Sequence, residues 1–192
     1  MLKGEKAVLR ALHPEDIDRY VEFRNDVELE LLASGEPPLP RPKESLRVAI
    51  DQHLANPGSD VWFAIETQSD FLGHCQLTNV DQFARSCELT IAIGNRDYQN
   101  RGFGRDAIKL LTKYAFRLLN MNRVWVRVPA SNQRALRCFT ACGFAEEGRL
   151  RQHIWRDGSY DDIVHLAVLR DHWNGTAAAP TEVTAASAPL AD

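Results

Sequence analysis

With 192 residues, 44% of them apolar, the chain has material for one substantial core and little for a second. Acidic side chains outnumber basic ones by 26 to 23, a net charge of −3, which excludes the general positive field that holds proteins on nucleic acid or anionic membranes. Met1 to Lys6 has no apolar leader core and no run approaches the ~20 apolar residues of a bilayer span, so a cytoplasmic protein is expected.

In chain order, Lys6 to Leu12 alternates like an edge strand. Pro14, Glu15 and Asp16 then suit the first turn of a helix burying Ile17, Tyr20, Val21 and Phe23. Glu22, Asp26, Glu28 and Glu30 form an acidic run that can be read as a solvated face or as a seat for a polycationic amine. Proline density over Gly35 to Pro42 predicts a stiff loop, after which Glu44 to Leu54 resumes helical spacing. Val61–Glu66, Phe71–Asn79 and Arg85–Ile93 read as three strands of an antiparallel meander, with Glu88, Thr90 and Ala92 on one face of the third.

Between that strand and an apolar-periodic helix (Ala107 to Leu119) lies Gln99-Asn100-Arg101-Gly102-Phe103-Gly104. A glycine turn opening a helix leaves backbone N–H groups unpaired where the helix dipole favours negative charge, a seat for a phosphate or pyrophosphate. Gly102 and Gly104 let such a group approach the main chain, and Arg101 can add a cation. Gly102 to Ala107 also fits a loose dinucleotide fingerprint, but the next strand ends Val126-Arg127-Val128-Pro129, without the carboxylate that a ribose requires. Val124–Val128 should lie parallel to the strand before the turn, through a right-handed crossover. Ser131 or Asn132 can cap a helix to Cys142, Gly143 stops it, and Phe144–Trp155 with Tyr160–Val168 flank a hairpin turn at Arg156 to Ser159. From Asn174 the Ala/Thr/Pro composition predicts a disordered tail. Cys75, Cys87, Cys138 and Cys142 lack metal-ligand spacing, so four reduced thiols and no metal are expected.

The glycine turn, followed by Asn132, Ala135, Phe139, Gly143 and Phe144, resembles the two spaced motifs of the GCN5-related N-acetyltransferase (GNAT) family. Gly148-Arg149-Leu150 through Asp162 is similar to its ribosomal-protein-acetylating and polyamine-acetylating branch. The resemblance implies an α/β (α+β) fold with a mixed, mostly antiparallel sheet, a domain over 1–173 with its motif-bearing core at about 61–173, and a tail over 174–192. It also implies acetyl-CoA as cosubstrate, held by Ile91, Ala92 and Ile93, by Gln99, Asn100, Arg101, Gly102, Phe103, Gly104 and Arg105, and by Asn132, which is equally a plain helix cap. Acetyl would pass directly, in a ternary complex, to a primary amine, a protein N-terminus or alternatively a polyamine, amino sugar or antibiotic. A catalytically weak acyl-CoA sensor is the alternative of another class.

Amine acetylation needs a neutral nitrogen, and Glu88 is the candidate base, with a structural ion pair as the competing reading. The family often has a tyrosine where Phe139 stands. Phenylalanine cannot protonate the leaving thiolate, so Ser131, Cys138 and Tyr160 become candidate donors. The edge strands of the C-terminal hairpin leave room for a homodimer.

Overall fold

The computed structural model describes residues 1–33, 38–56, 58–67 and 70–173. The tail expected over 174–192 and residues 35–37 of the proline-rich loop lie outside the described residues. Eight strands form one sheet in the order β1-β2-β3-β4-β5-β6-β8-β7: β1 (Leu2–Lys3), β2 (Val8–Arg10), β3 (Val61–Glu66), β4 (Phe71–Asp81), β5 (Ser86–Ile93), β6 (Arg123–Pro129), β7 (Ala145–Arg156) and β8 (Ser159–Leu169). Every pairing is antiparallel except β5 with β6. The helices are α1 (Ile17–Arg24), α2 (Val27–Ala33), α3 (Lys43–Ala55), α4 (Phe103–Arg117) and α5 (Gln133–Thr140). None of them is long and apolar enough to cross a membrane.

The amphipathic helix α4 is the crossover between the two parallel strands. Its Ala107, Ile108, Leu111, Ala115 and Phe116 are buried in the cluster that holds Leu77, Cys87, Leu89, Val124 and Val126. Full burial of a side chain such as Leu111 contributes about 1.5–3 kcal/mol, and that face fixes where the helix begins. A second cluster joins Ile17 and Tyr20 of α1 to Leu46 and Ile50 of α3, with Trp62 and Phe71 of the sheet packed against it. Asp106 ties the two ends of the fold together: one carboxylate oxygen accepts from the N–H of Lys6 (2.7 Å) and of Ala7 (2.8 Å), pinning the β1–β2 turn to the start of α4.

Several expectations shift in detail. The segment expected as an edge strand over Lys6 to Leu12 is extended only at Val8–Arg10 and lies inside the sheet, because Leu2–Lys3 pairs outside it. Val21 is half-buried and not in the core. α2 was hidden in the acidic run: Asp26 caps it locally, accepting from the N–H of Leu29 (3.2 Å), and seven residues are too few for periodicity to register. The last helix stops at Thr140, and Gly143 follows with φ 95°. The hairpin turns at Asp157 and Gly158, with φ of 42° and 81°, the positive values that a tight two-residue turn between twisted strands requires.

Candidate active site

The parallel pair is short. β5 and β6 are in register at Ser86/Arg123, Cys87/Val124 and Glu88/Trp125 and then part, β5 continuing to Ile93 alongside β4 and β6 to Pro129 alongside β8. Beyond Glu88, β5 has no strand partner on that side among the described residues. A cleft of about 530 Å³ fills the opening, in the range of small-molecule sites. Ile91, Ala92 and Ile93 line it from the sheet, and Asn132, Ala135 and Phe139 line it from the α5 segment.

At one part of this cleft lie Gly102, Gly104 and Arg105 at the start of α4. Gly102 is the N-cap, in a left-handed conformation (φ 92°), and no side chain caps the helix. The first-turn N–H groups are therefore available to an anion. Tyr98 packs edge-on against Phe103 (5.3 Å between centroids) and so braces the turn. Gln99 shapes it: its amide N–H donates to the Ile93 carbonyl (2.9 Å), and its amide oxygen accepts from Arg134 of α5 (2.6 Å).

Another part of the lining comes from Phe23 and Arg24 of α1, Leu29, Glu30 and Leu32 of α2, and His74 of β4. Glu30 is 7% exposed and pairs with Arg24 (3.0 Å). His74 packs edge-on against Tyr20 (4.9 Å). Burial, reinforced by the Arg24 cation, pushes its imidazole down to about 3, so the ring is neutral.

A family model described as an acetyltransferase (GNAT) domain matches residues 6–145. The chain belongs to the GNAT acetyltransferase family. Its relatives include the spermidine N(1)-acetyltransferase of Vibrio cholerae, 25% identical over 130 residues (68% of this chain, 75% of the relative). The ribosomal N-acetyltransferase-like protein YdaF of Bacillus subtilis is 30% identical over 103 residues (54% and 56%). Among solved structures, a spermidine N-acetyltransferase from Vibrio cholerae in complex with CoA and spermine superposes with a TM-score of 0.81 at 26% identity, covering 87% of this chain and 97% of that one. The protein is thus an N-acetyltransferase with the mixed α/β fold that its motifs implied.

Within this GNAT acetyltransferase the residues expected to hold the cofactor divide. Ile91, Ala92, Ile93, Gln99, Asn100, Gly102, Gly104, Arg105 and Asn132 line the cleft, whereas Arg101 and Phe103 do not. Arg101 turns outward, donating to the Asp97 carbonyl (3.2 Å) and lying over the Tyr98 ring, and Phe103 faces Tyr98. Asn132 is committed at both ends of its amide: the oxygen accepts from the N–H of Ala135 (3.0 Å), capping α5, and the nitrogen donates to the Leu32 carbonyl of α2 (2.8 Å). It thereby joins the two elements that border the cleft.

Of the four expected catalytic side chains, Cys138 lines the cleft, whereas Glu88, Ser131 and Tyr160 lie outside the lining. Glu88 stands at the last paired position before the strands part, 3% exposed; Arg127 donates to both of its oxygens (2.9 and 3.2 Å) and Asn79 to one (2.6 Å). Ser131 is exposed, its N–H donating to Asp161 (3.2 Å). Tyr160 is 63% exposed on the hairpin against Trp155. Both miss the cleft because spacing cannot tell which strand end a turn faces. Phe139 does line it, 3% exposed and edge-on to Phe144. Sequence reasoning named Glu30 only as one acid of a run and missed His74, an isolated histidine on a strand.

Each carboxylate of the acidic run has an arginine partner. Arg19 pairs with Glu22 (2.5 Å), Arg96 with Asp26 and Glu28 (2.7 and 2.8 Å), and Arg24 with Glu30. Glu22 and Glu28 remain largely exposed to solvent within these pairs.

Proposed function

We propose that the protein transfers acetyl from acetyl-CoA to a primary amine of a small molecule, polyamines foremost, by direct attack within a ternary complex. The observation that supports this reading is the cleft opened where β5 and β6 part, in a fold shared over 97% of a spermidine acetyltransferase crystallised with CoA and spermine.

In this reading the diphosphate of acetyl-CoA rests on the N–H groups at Gly102 to Arg105, and the pantetheine arm follows Ile91 to Ile93. An N–H on the unpaired side of β5 polarises the thioester carbonyl as charge develops on its oxygen. The amine nitrogen attacks the carbonyl carbon, the C–S bond breaks, and coenzyme A leaves as the thiolate. With a pKa of about 8.5 for a free thiol, that leaving group departs without a tyrosine at position 139.

The acceptor enters past Leu29 and Glu30. An ammonium competes there with Arg24 for the Glu30 carboxylate. Its proton passes to Glu88 through water once Arg127, half-exposed, swings off that carboxylate.

An amine panel monitored by thiol release tests the reading: spermidine, spermine, an amino sugar and a peptide with a free N-terminus, each titrated against acetyl-CoA. Saturable release with a small amine and intersecting initial-rate plots are expected. Release with the peptide alone would transfer the assignment to protein N-termini, and parallel plots would replace direct attack by an acyl-enzyme.

A further inference from the structure

Two cysteines stand at the cleft in an arrangement that acetyl transfer does not use. Cys138, on α5, lines the cleft and is half-buried; Cys142, one helical turn on, is buried at 2% and its thiol reaches the Arg105 carbonyl (3.6 Å). Arg105 of α4 and Arg134 of α5 line the same cleft as Cys138. Cys75 and Cys87 are fully buried in the sheet core. Of the four thiols, Cys138 alone therefore meets two conditions for reactivity: access from the cleft and positive charge in the same cleft.

We propose that Cys138 is a thiol–disulfide exchange site, at which a low-molecular-weight disulfide carrying anionic groups leaves half of itself as a mixed disulfide in the cleft. The flanking arginines select the anionic disulfide and lead it to the sulfur. The Cys138 thiolate attacks one sulfur of the incoming R–S–S–R. The S–S bond breaks, a Cys138–S–R bond forms, and R–S⁻ leaves and takes a proton from solvent. Cys138 is oxidised and the departing half is reduced, so no further oxidant is required. Contact with Cys142 and the two arginines hold the Cys138 thiol below the ordinary thiol range, which enriches its thiolate, while the same contact and burial push Cys142 up. Cys142 can then act second: its sulfur attacks the Cys138 sulfur, the mixed S–S bond breaks, and the departing R–S⁻ takes the Cys142 proton.

Exchange at Cys138 is independent of the acetyl-transfer reading. Its consequence, a cleft closed to cofactor, rests on that reading. The test uses the full chain, reduced and then freed of reductant, and exposed separately to coenzyme A disulfide, glutathione disulfide and the cationic disulfide cystamine. Intact mass and peptide mapping follow the product. A single adduct on Cys138, or a Cys138–Cys142 disulfide in its place, is expected with both anionic disulfides. At low salt these should react about tenfold faster than cystamine, and the ratio should fall towards one at molar salt as screening removes the arginine field. Cys142→Ala should convert any internal disulfide into a stable adduct on Cys138. Absence of an adduct on Cys138 in both the parent and Cys142→Ala chains, labelling first at another cysteine, or an equal rate with cystamine at low salt overturns the proposal. Coenzyme A affinity of the adduct, measured separately by calorimetry, reports on the cofactor assignment: an unblocked adduct would count against the cleft and leave the exchange chemistry standing.

Discussion

Replacing Gly104 by alanine separates what the glycine turn does for binding from what it does for folding. A Cβ at this position meets only Ile93 Cγ1, at 3.7 Å, an ordinary contact, and the backbone is not in the left-handed region. The folded state therefore accepts the methyl group without strain. Alanine in a helix is favoured over glycine by about 0.5–1 kcal/mol. For a chain of this size, 1 kcal/mol corresponds to about 2–4 °C, so Tm should rise by about 1–4 °C. The methyl group, however, projects where Gly104 lines the cleft. A diphosphate kept off the N–H groups there loses at least one charge-assisted hydrogen bond, about 1.5–3 kcal/mol, or roughly 10- to 100-fold in Kd. Calorimetric titration with coenzyme A, paired with thermal unfolding, reads both quantities. Gly102→Ala serves as the contrast: at φ 92° it should cost about 1–2 kcal/mol of stability. If Gly104→Ala binds coenzyme A as the parent does while its Tm rises, no phosphate sits on this turn.

Glu88→Gln should lower kcat by about 10²-fold or more while the Kd for coenzyme A changes less than about twofold; turnover equal to the parent at every pH would leave Glu88 only its ion pair with Arg127. Asn132→Ala removes the α5 cap and the tie to Leu32, and urea unfolding should show a loss of about 1–2 kcal/mol. Arg10 holds Asp16 through two hydrogen bonds (2.6 and 2.8 Å), and the His13 N–H adds a third (2.8 Å). Burial pushes that carboxyl up, but the guanidinium and the N–H outweigh it and hold it below its usual value. A depressed carboxyl stabilises the fold above its unfolded value of about 3.9, and that stability is lost as pH falls through the folded value. Asp16→Asn should therefore cost about 2–4 kcal/mol at neutral pH and progressively less below about pH 4; a difference that stays constant to pH 2 would remove the linkage.

Some of the site was legible at once. The glycine turn, the strand before it and the capping asparagine were found because each is local: a turn needs glycine, a cap needs a short polar side chain, and a strand shows its period within a few residues. The motifs that carried the resemblance lie beyond about residue 61, yet the family model begins at residue 6. Its anchor there is Asp106, whose two backbone partners lie about a hundred positions away, beyond the reach of any periodicity. Glu88 could be assigned to a sheet face by alternation, but not to its partners. Arg127 and Asn79 reach it only because β4, β5 and β6 are neighbours in the sheet.

The sequence alone determined most of the helices and strands, α2 and β1 excepted, that one strand–turn–helix unit presents unpaired N–H groups, and that position 139 carries no acidic proton. Those properties depend on bonds and spacings within about ten residues. Tertiary structure decided that β5 and β6 part after a single short run of pairs, that Glu30 and His74 reach the opening, and that Ser131 and Tyr160 stay outside it. Register between distant strands sets each of these, and register follows from burying faces such as that of α4 against the whole sheet at once.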